Sequence, residues 1–289
     1  MESLINWKAD EVYKKLITKV WSEGKDIETR NHIARRHIKL PSVFFWNTPL
    51  VTLRKTAWKT ALREMEWFMS GETRCPEALH RWWDGQLNPD GHYLCGYSHQ
   101  YRHFGSGDFD QIAFVLNSIR NHKGSRRAVL TTWNPDEMAN ITKINQNPNT
   151  PACCHGTKVQ FFVENDSLHM VHDQRSADML LGLQHNWIQY WALLMFLAYH
   201  ANLKIGGMQW HLGDAHIYTE ESHFKTVYEI LDYNKPLHAR FSDEFGNLMA
   251  YRPLNDELDW NGVPIFRADD FVIEGDIPPP ISKTRPKLL

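Results

Sequence analysis

Hydrophobic positions along the chain change their period several times, and each change marks an expected element. Over residues 8–21, Val12, Leu16, Ile17 and Val20 recur at helical spacing, and Gly24 closes the segment. A second helix is predicted over residues 55–70, with Ala57, Ala61, Leu62, Met65, Phe68 and Met69 on one side and Gly71 as its stop. Glu64 follows Ala61 by three positions and Ala57 by seven, so its carboxylate lies close to that apolar side. Residues 76–101 read as a loop-rich aromatic stretch, and a helix over 110–121 precedes a strand over 128–133. Alternation over 159–163 and 168–172 predicts two strands joined by the turn Glu164-Asn165-Asp166-Ser167. The longest apolar run, 187–203, is interrupted by Gln189, His200 and Asn202, which suits a buried helix and not a membrane span. A strand over 208–211, a helix over 224–233, short strands and a proline-rich tail follow. The Arg- and His-rich stretch 26–39 is expected to be a polar loop leading into a strand, and 140–151 an exposed insertion. Strands and helices mix without regular βαβ alternation, which predicts an α+β fold in a single domain, 1–289.

Composition narrows the function classes. Apolar residues make up 42%, with 12 Trp and 14 Phe, enough for a sizeable core. A formal charge of −2 supplies no general field for nucleic acid, while leaving room for local phosphate sites. The four cysteines, Cys75, Cys95, Cys153 and Cys154, form no CxxC pair and no zinc pattern, so no metal is expected. A reduced, cytoplasmic protein is the expectation, because the first residues also lack a basic region followed by an apolar run.

The chemistry collects between residues 151 and 186. Cys154, followed by His155, is a candidate nucleophile, since a thiol needs nearby positive charge or donors to ionise. In an extended strand Cys153 and Cys154 point to opposite sides, so at most one faces a pocket. Arg175 in Gln174-Arg175-Ser176 suits a phosphate, and Ser125-Arg126-Arg127 is a second cluster of that kind. Asn186 carries a donor and an acceptor, which can match the N3–H and O4 edge of uracil. His216 and Tyr218 alternate on one strand face, and Trp83 offers a stacking wall. Each taken alone has an ordinary structural explanation: a strand end, a surface basic pair, a buried amide bonded to backbone, or a core aromatic.

In their order and spacing these residues resemble the thymidylate synthase family, which includes phage-type pyrimidine hydroxymethylases. The resemblance spans nearly the whole chain. It is carried by Cys154-His155, Gln174-Arg175-Ser176-x-Asp178, Gly182-x-x-x-Asn186 and Gly213-Asp214-Ala215-His216-Ile217-Tyr218. The resemblance implies a mixed sheet packed with helices and a homodimer formed sheet to sheet. It also implies that dUMP and 5,10-methylenetetrahydrofolate bind, with Cys154 adding to C6 of the pyrimidine. Arg175, Ser176, Gln174 and Arg30, with Arg126 and Arg127 reaching across the dimer, would hold dUMP, with its phosphate on the arginines and the serine. Asn186 would read the uracil edge, and His216 and Tyr218 would hold the deoxyribose. Glu64, Tyr97, His155 and Asp178 are the implied proton-handling and positioning groups. Trp83, Gly182, His185, Asp178, Tyr218, Arg54 and Lys55 would border the folate. The spacing from Cys154 to Gln160 is one residue longer than in the family, which leaves Cys153 as the alternative nucleophile. Gln184-His185 stands where synthases carry an apolar pair, and a polar pair there could order a water. That tilts the expected product to 5-hydroxymethyl-dUMP, with dTMP the alternative. A silent nucleotide-binding member and a thiol hydrolase are the readings from other classes.

Overall fold

The computed structural model describes residues 7–29, 32–139, 153–241 and 248–288. Its helices are α1 (Trp7–Glu23), α2 (Trp58–Ser70), α3 (His80–Trp83), α4 (Tyr97–Arg102), α5 (Gln111–Asn121), α6 (Pro135–Ala139), α7 (Leu183–His200) and α8 (Glu221–Leu231). The strands are β1 (Lys25–Glu28), β2 (Ile33–His37), β3 (Val43–Phe45), β4 (Val129–Leu130), β5 (Lys158–Glu164), β6 (Ser167–Asp178), β7 (Lys204–Tyr218), β8 (Leu248–Tyr251) and β9 (Phe271–Glu274).

Seven strands form a mixed sheet in the order β1-β2-β7-β6-β5-β4, with β3 also paired to β7, so the fold is α+β. The central pair, β6 and β7, is parallel, and each of the other pairings is antiparallel. A parallel pair needs a crossover, and α7 supplies it. That helix is apolar around nearly its whole circumference, so it is buried on all sides, as such a surface requires. Its polar members, Gln184, Asn186 and Gln189, are buried with it. One buried apolar cluster runs from Ala9 to Phe271 and joins the sheet to the helices.

Several expectations need adjusting. The stretch 26–39 is mostly a β-hairpin, because Arg35 grips Asp26 across β1 and β2 (Nε–Oδ1 2.8 Å, Nη2–Oδ2 3.1 Å) and Ala34 is buried beneath. The strand expected over 128–133 shortens to β4. There the Thr131 N–H donates to the Gln111 side chain and the Thr132 N–H to the Gly156 carbonyl, which takes both out of the ladder. The strands around 168–172 and 208–211 are much longer than their apolar alternation suggested. Their turn at 164–167 places Asn165 and Asp166 at positive φ (50° and 55°), the geometry a two-residue hairpin favours. Residues 76–101 contain α3 and the start of α4. The 140–151 insertion lies outside the described residues.

Residues 248–288 are clamped to the body at several points. Arg102, 1% exposed, donates to Asp110 (2.8 Å) and to Asp259 (2.6 Å), and the Asn261 amide also reaches Asp110. Farther along, Ser282 and Thr284 donate to Glu229 on α8. The Lys287 carbonyl meets the His223 ring.

Candidate active site

The two adjacent cysteines part company just before β5. Cys153 is 1% exposed, with its sulfur 3.9 Å from the Tyr93 hydroxyl and 3.8 Å from the Cys95 carbonyl. Burial pushes its thiol far above the usual range. Cys154 is partly exposed and its sulfur lies 3.8 Å from Nη2 of Arg175. Its backbone N–H donates to the Tyr97 hydroxyl (2.8 Å), and its carbonyl accepts from the Ser176 N–H (3.1 Å). Two residues beyond Cys154, Gly156 adopts φ +66°. A Cβ there would sit 2.2 Å from the Tyr190 hydroxyl, so only glycine fits.

The His155 ring is stacked on Tyr97 (centroids 4.1 Å apart, 11° between planes), and Nδ1 meets the Tyr190 hydroxyl at 3.0 Å. Burial holds its pKa down to about 3, so the ring is neutral and brings no charge to the thiol. The positive charge beside Cys154 comes from Arg175, whose guanidinium also lies over the Trp133 ring (5.2 Å).

Parallel pairing of β6 and β7 brings Asp178 beside His216. Burial works against charge on His216, but its contact with Asp214 (3.4 Å) and the Asp178 carboxylate outweigh that and raise its pKa. Tyr218 packs edge-on against the His216 ring. Asp178 Oδ1 accepts from the N–H groups of Leu180 and Leu181, which fixes the turn into α7. Arg126 and Arg127 are exposed just ahead of the edge strand β4, with β5 between them and the strand carrying Arg175. Arg30 lies outside the described residues.

A line of buried polar groups crosses from α3 to β7. The Trp83 indole N–H donates to Glu64 Oε1 (2.7 Å), and Gln189 Nε2 donates to Glu64 Oε2 (2.9 Å). Asn186 Nδ2 donates to Gln189 Oε1 (3.0 Å), and Gln174 Nε2 donates to Asn186 Oδ1 (3.0 Å). The Trp210 indole N–H closes the line on Gln174 Oε1 (3.1 Å). Desolvation raises Glu64 to about 7, against the pull of its two donors, so it can hold or release a proton near neutrality. Gln189 and Trp210 were not among the candidate site residues read from the sequence. The available signal was a glutamine one helical turn after Asn186 inside an apolar run.

The polar pair before Asn186 faces protein. His185 Nε2 accepts the Ala57 N–H ahead of α2 (3.0 Å), and its Nδ1 donates to the Leu181 carbonyl (2.7 Å). Burial lowers its pKa to about 4. Gln184, fully buried, donates to the carbonyls of Leu180 and Leu181. With both His185 nitrogens bonded within the chain, neither is left to order a water. Gln184 Oε1, by contrast, is buried without a hydrogen-bond partner among the described residues. Gly182 ends the preceding turn, and a Cβ there would meet nothing closer than 3.5 Å, so packing alone does not demand glycine. Trp83 stands in an aromatic cluster with Trp67, Phe68 and Tyr93. Arg54 is buried, and its Nε and Nη1 have no hydrogen-bond partner among the described residues. Lys55 beside it is exposed. No group of ligands for a metal ion occurs among the described residues, and no described helix is long and apolar enough to cross a membrane.

A profile of the thymidylate synthase family matches residues 11–246. The bifunctional dihydrofolate reductase-thymidylate synthase 2 of Arabidopsis thaliana is 33% identical over 214 residues, which is 64% of this chain but only 36% of that protein. Thymidylate synthases of Francisella tularensis subsp. holarctica (strains OSU18 and LVS) are 33% identical over 194 residues, 63% of this chain and 69% of theirs. The match takes in Cys154, Arg175 and Asn186 together with the sheet and helices that position them, and the chain belongs to the thymidylate synthase family.

Proposed function

We propose that this chain, as a single catalytic domain, transfers a one-carbon unit from 5,10-methylenetetrahydrofolate to C5 of dUMP and releases dTMP. The observation that carries the reading is the Cys154 sulfur held 3.8 Å from the Arg175 guanidinium, with Cys153 withdrawn into the core. A cation at that distance favours the thiolate, the form that attacks. Addition of the sulfur to C6 moves charge onto O4, where the donor of Asn186 stabilises it, and leaves C5 nucleophilic. Glu64, near neutrality in its pKa, takes up and returns the proton on that side of the ring. Tyr97 and Asp178 position the reactants, and His155 supports Tyr97 through the ring stack. Arg175 and Ser176 hold the phosphate from within the subunit. Arg126 and Arg127 of the partner subunit complete that site in a homodimer formed through the sheets. His216 and Tyr218 bind the deoxyribose.

The folate suits the buried Arg54, whose Nε and Nη1 have no hydrogen-bond partner among the described residues and could be met by a glutamyl carboxylate. Bound there, with Trp83 and Gly182 at its ring, the folate supplies the carbon and, for dTMP, the hydride. The preference for dTMP over 5-hydroxymethyl-dUMP rests on two points. The relatives bear the name thymidylate synthase, and both ring nitrogens of His185 are bonded within the fold.

Incubation with dUMP and methylenetetrahydrofolate, followed by mass analysis, tests this. dTMP with dihydrofolate is expected; 5-hydroxymethyl-dUMP with tetrahydrofolate overturns the product, and no conversion of dUMP overturns the reaction. Cys154→Ala should abolish release of tritium from 5-tritiated dUMP while dUMP still binds.

A further inference from the structure

We propose that Gln189 is a positioning residue that fixes which end of the Asn186 amide faces the pyrimidine and ties that orientation to the Glu64 carboxylate. The inference deepens the reading of dUMP as substrate and rests on it. A side-chain amide is nearly symmetric in shape, so packing alone does not decide which end is oxygen and which is nitrogen; hydrogen-bond polarity must. Here the polarity is set from both ends. An indole N–H can only donate, so Trp210 requires oxygen at the near end of Gln174. Gln174 then presents its nitrogen to Asn186, which must answer with Oδ1 and turn Nδ2 to Gln189. Gln189 accepts that bond and turns its own nitrogen to Glu64, whose other oxygen is already taken by the donor-only Trp83 indole. Reversing any amide in this line sets two donors or two acceptors face to face in a buried site.

Asn186 spends one hydrogen and one lone pair within the line, which leaves one N–H and one lone pair for a ligand. In the observed orientation those serve the O4 acceptor and N3–H donor of uracil. Cytosine presents the opposite pattern and would need the amide reversed. Discrimination between uracil and cytosine therefore depends on Gln189, which touches neither base.

Gln189 reaches the proton chemistry as well. Its N–H favours the ionised form of Glu64, while burial opposes it. The groups set around Glu64 are the Trp83 indole, the Gln189 amide and the Cys75 thiol, itself pushed up to about 12 by burial and then by the charges of Glu64 and Asp84.

Two variants separate orientation from coupling, read by tritium release from 5-tritiated dUMP and dCMP with methylenetetrahydrofolate across pH. Gln189→Met keeps the bulk and removes both polar ends. It should lower the dUMP-to-dCMP ratio of kcat/KM at least tenfold and move the inflection near pH 7 upward. Gln189→Glu still accepts from Asn186 but offers Glu64 no donor, so the ratio should stay within about threefold while the inflection moves upward. A role in packing alone would not split the two readouts. An unmoved inflection in either folded variant, or equal loss of discrimination in both, overturns the proposal. If Gln189→Met does not fold, Gln189→Glu still decides, since retained discrimination with a shifted inflection is the signature. If the wild-type protein releases tritium from neither nucleotide, it is the substrate reading that fails.

Discussion

Neighbouring residues in this site owe opposite behaviour to a small difference in surroundings. Cys153 and Cys154 share a backbone segment, yet one sulfur meets a tyrosine and a carbonyl in the core and the other meets a guanidinium at the surface. His155 next to them is held neutral, and this has a consequence for stability. An unfolded histidine titrates near 6.5 and the folded His155 near 3, so below 6.5 the unfolded chain binds the proton that the folded one refuses. Its contribution is complete above pH 6.5 and is lost as the pH falls towards 3. Glu64, raised to about 7, acts in the opposite direction: its burial penalty is absent below about 4.5 and complete above 7. A whole-protein curve mixes the two, but a difference isolates one. The stability advantage of wild type over His155→Asn in urea denaturation should shrink by roughly 2–3 kcal/mol between pH 6.5 and 4.5, at about 1.4 kcal/mol per unit. A constant gap would mean that His155 is charged or solvated in the folded protein.

At the level of elements, the site depends on how α7 and the segment before β5 are seated. Gly156 joins these two, with its N–H bonded to the buried His172 and its α-carbon against Tyr190 of α7. Gly156→Ala meets both a strained left-handed φ and a hydroxyl 2.2 Å away, and should cost at least ~2 kcal/mol by chemical denaturation. The variant should also lose tritium release, because Cys154 lies two residues upstream. Much of this was legible from the chain: the helical periods of α1, α2 and α5, the hairpin turn at 164–167, and a candidate site spread over Cys154, Arg175 and Asn186. The hairpin β1–β2 was hidden because Arg35 and Arg36 look like loop residues until Asp26 pairs with one of them across the strands. The backbone bond of His185 was hidden for a related reason: it receives the Ala57 N–H at the α2–α7 junction, a need visible only once two distant segments meet. Gln189 was overlooked because its partners come from elements far apart in sequence.

For the molecule as a whole, the exposed arginines ahead of β4 make a prediction about subunits. If Arg126 of the partner subunit completes each phosphate site, Arg126→Ala and Cys154→Ala are both nearly inactive alone. Unfolded together and refolded, they should regain about a quarter of wild-type activity, since half of the dimers are mixed and each mixed dimer has one intact site. Absence of recovery would mean that Arg126 acts within its own subunit. The chain's last forty or so residues add a different consequence. They are secured near their start by the buried Arg102, which bridges Asp259 to Asp110 in the body, and near their end by contacts to Glu229 and His223. Under a pull at residue 288 the contacts to α8 are expected to load before the Arg102 ion pairs, so that segment should part from α8 while Asp259 is still held.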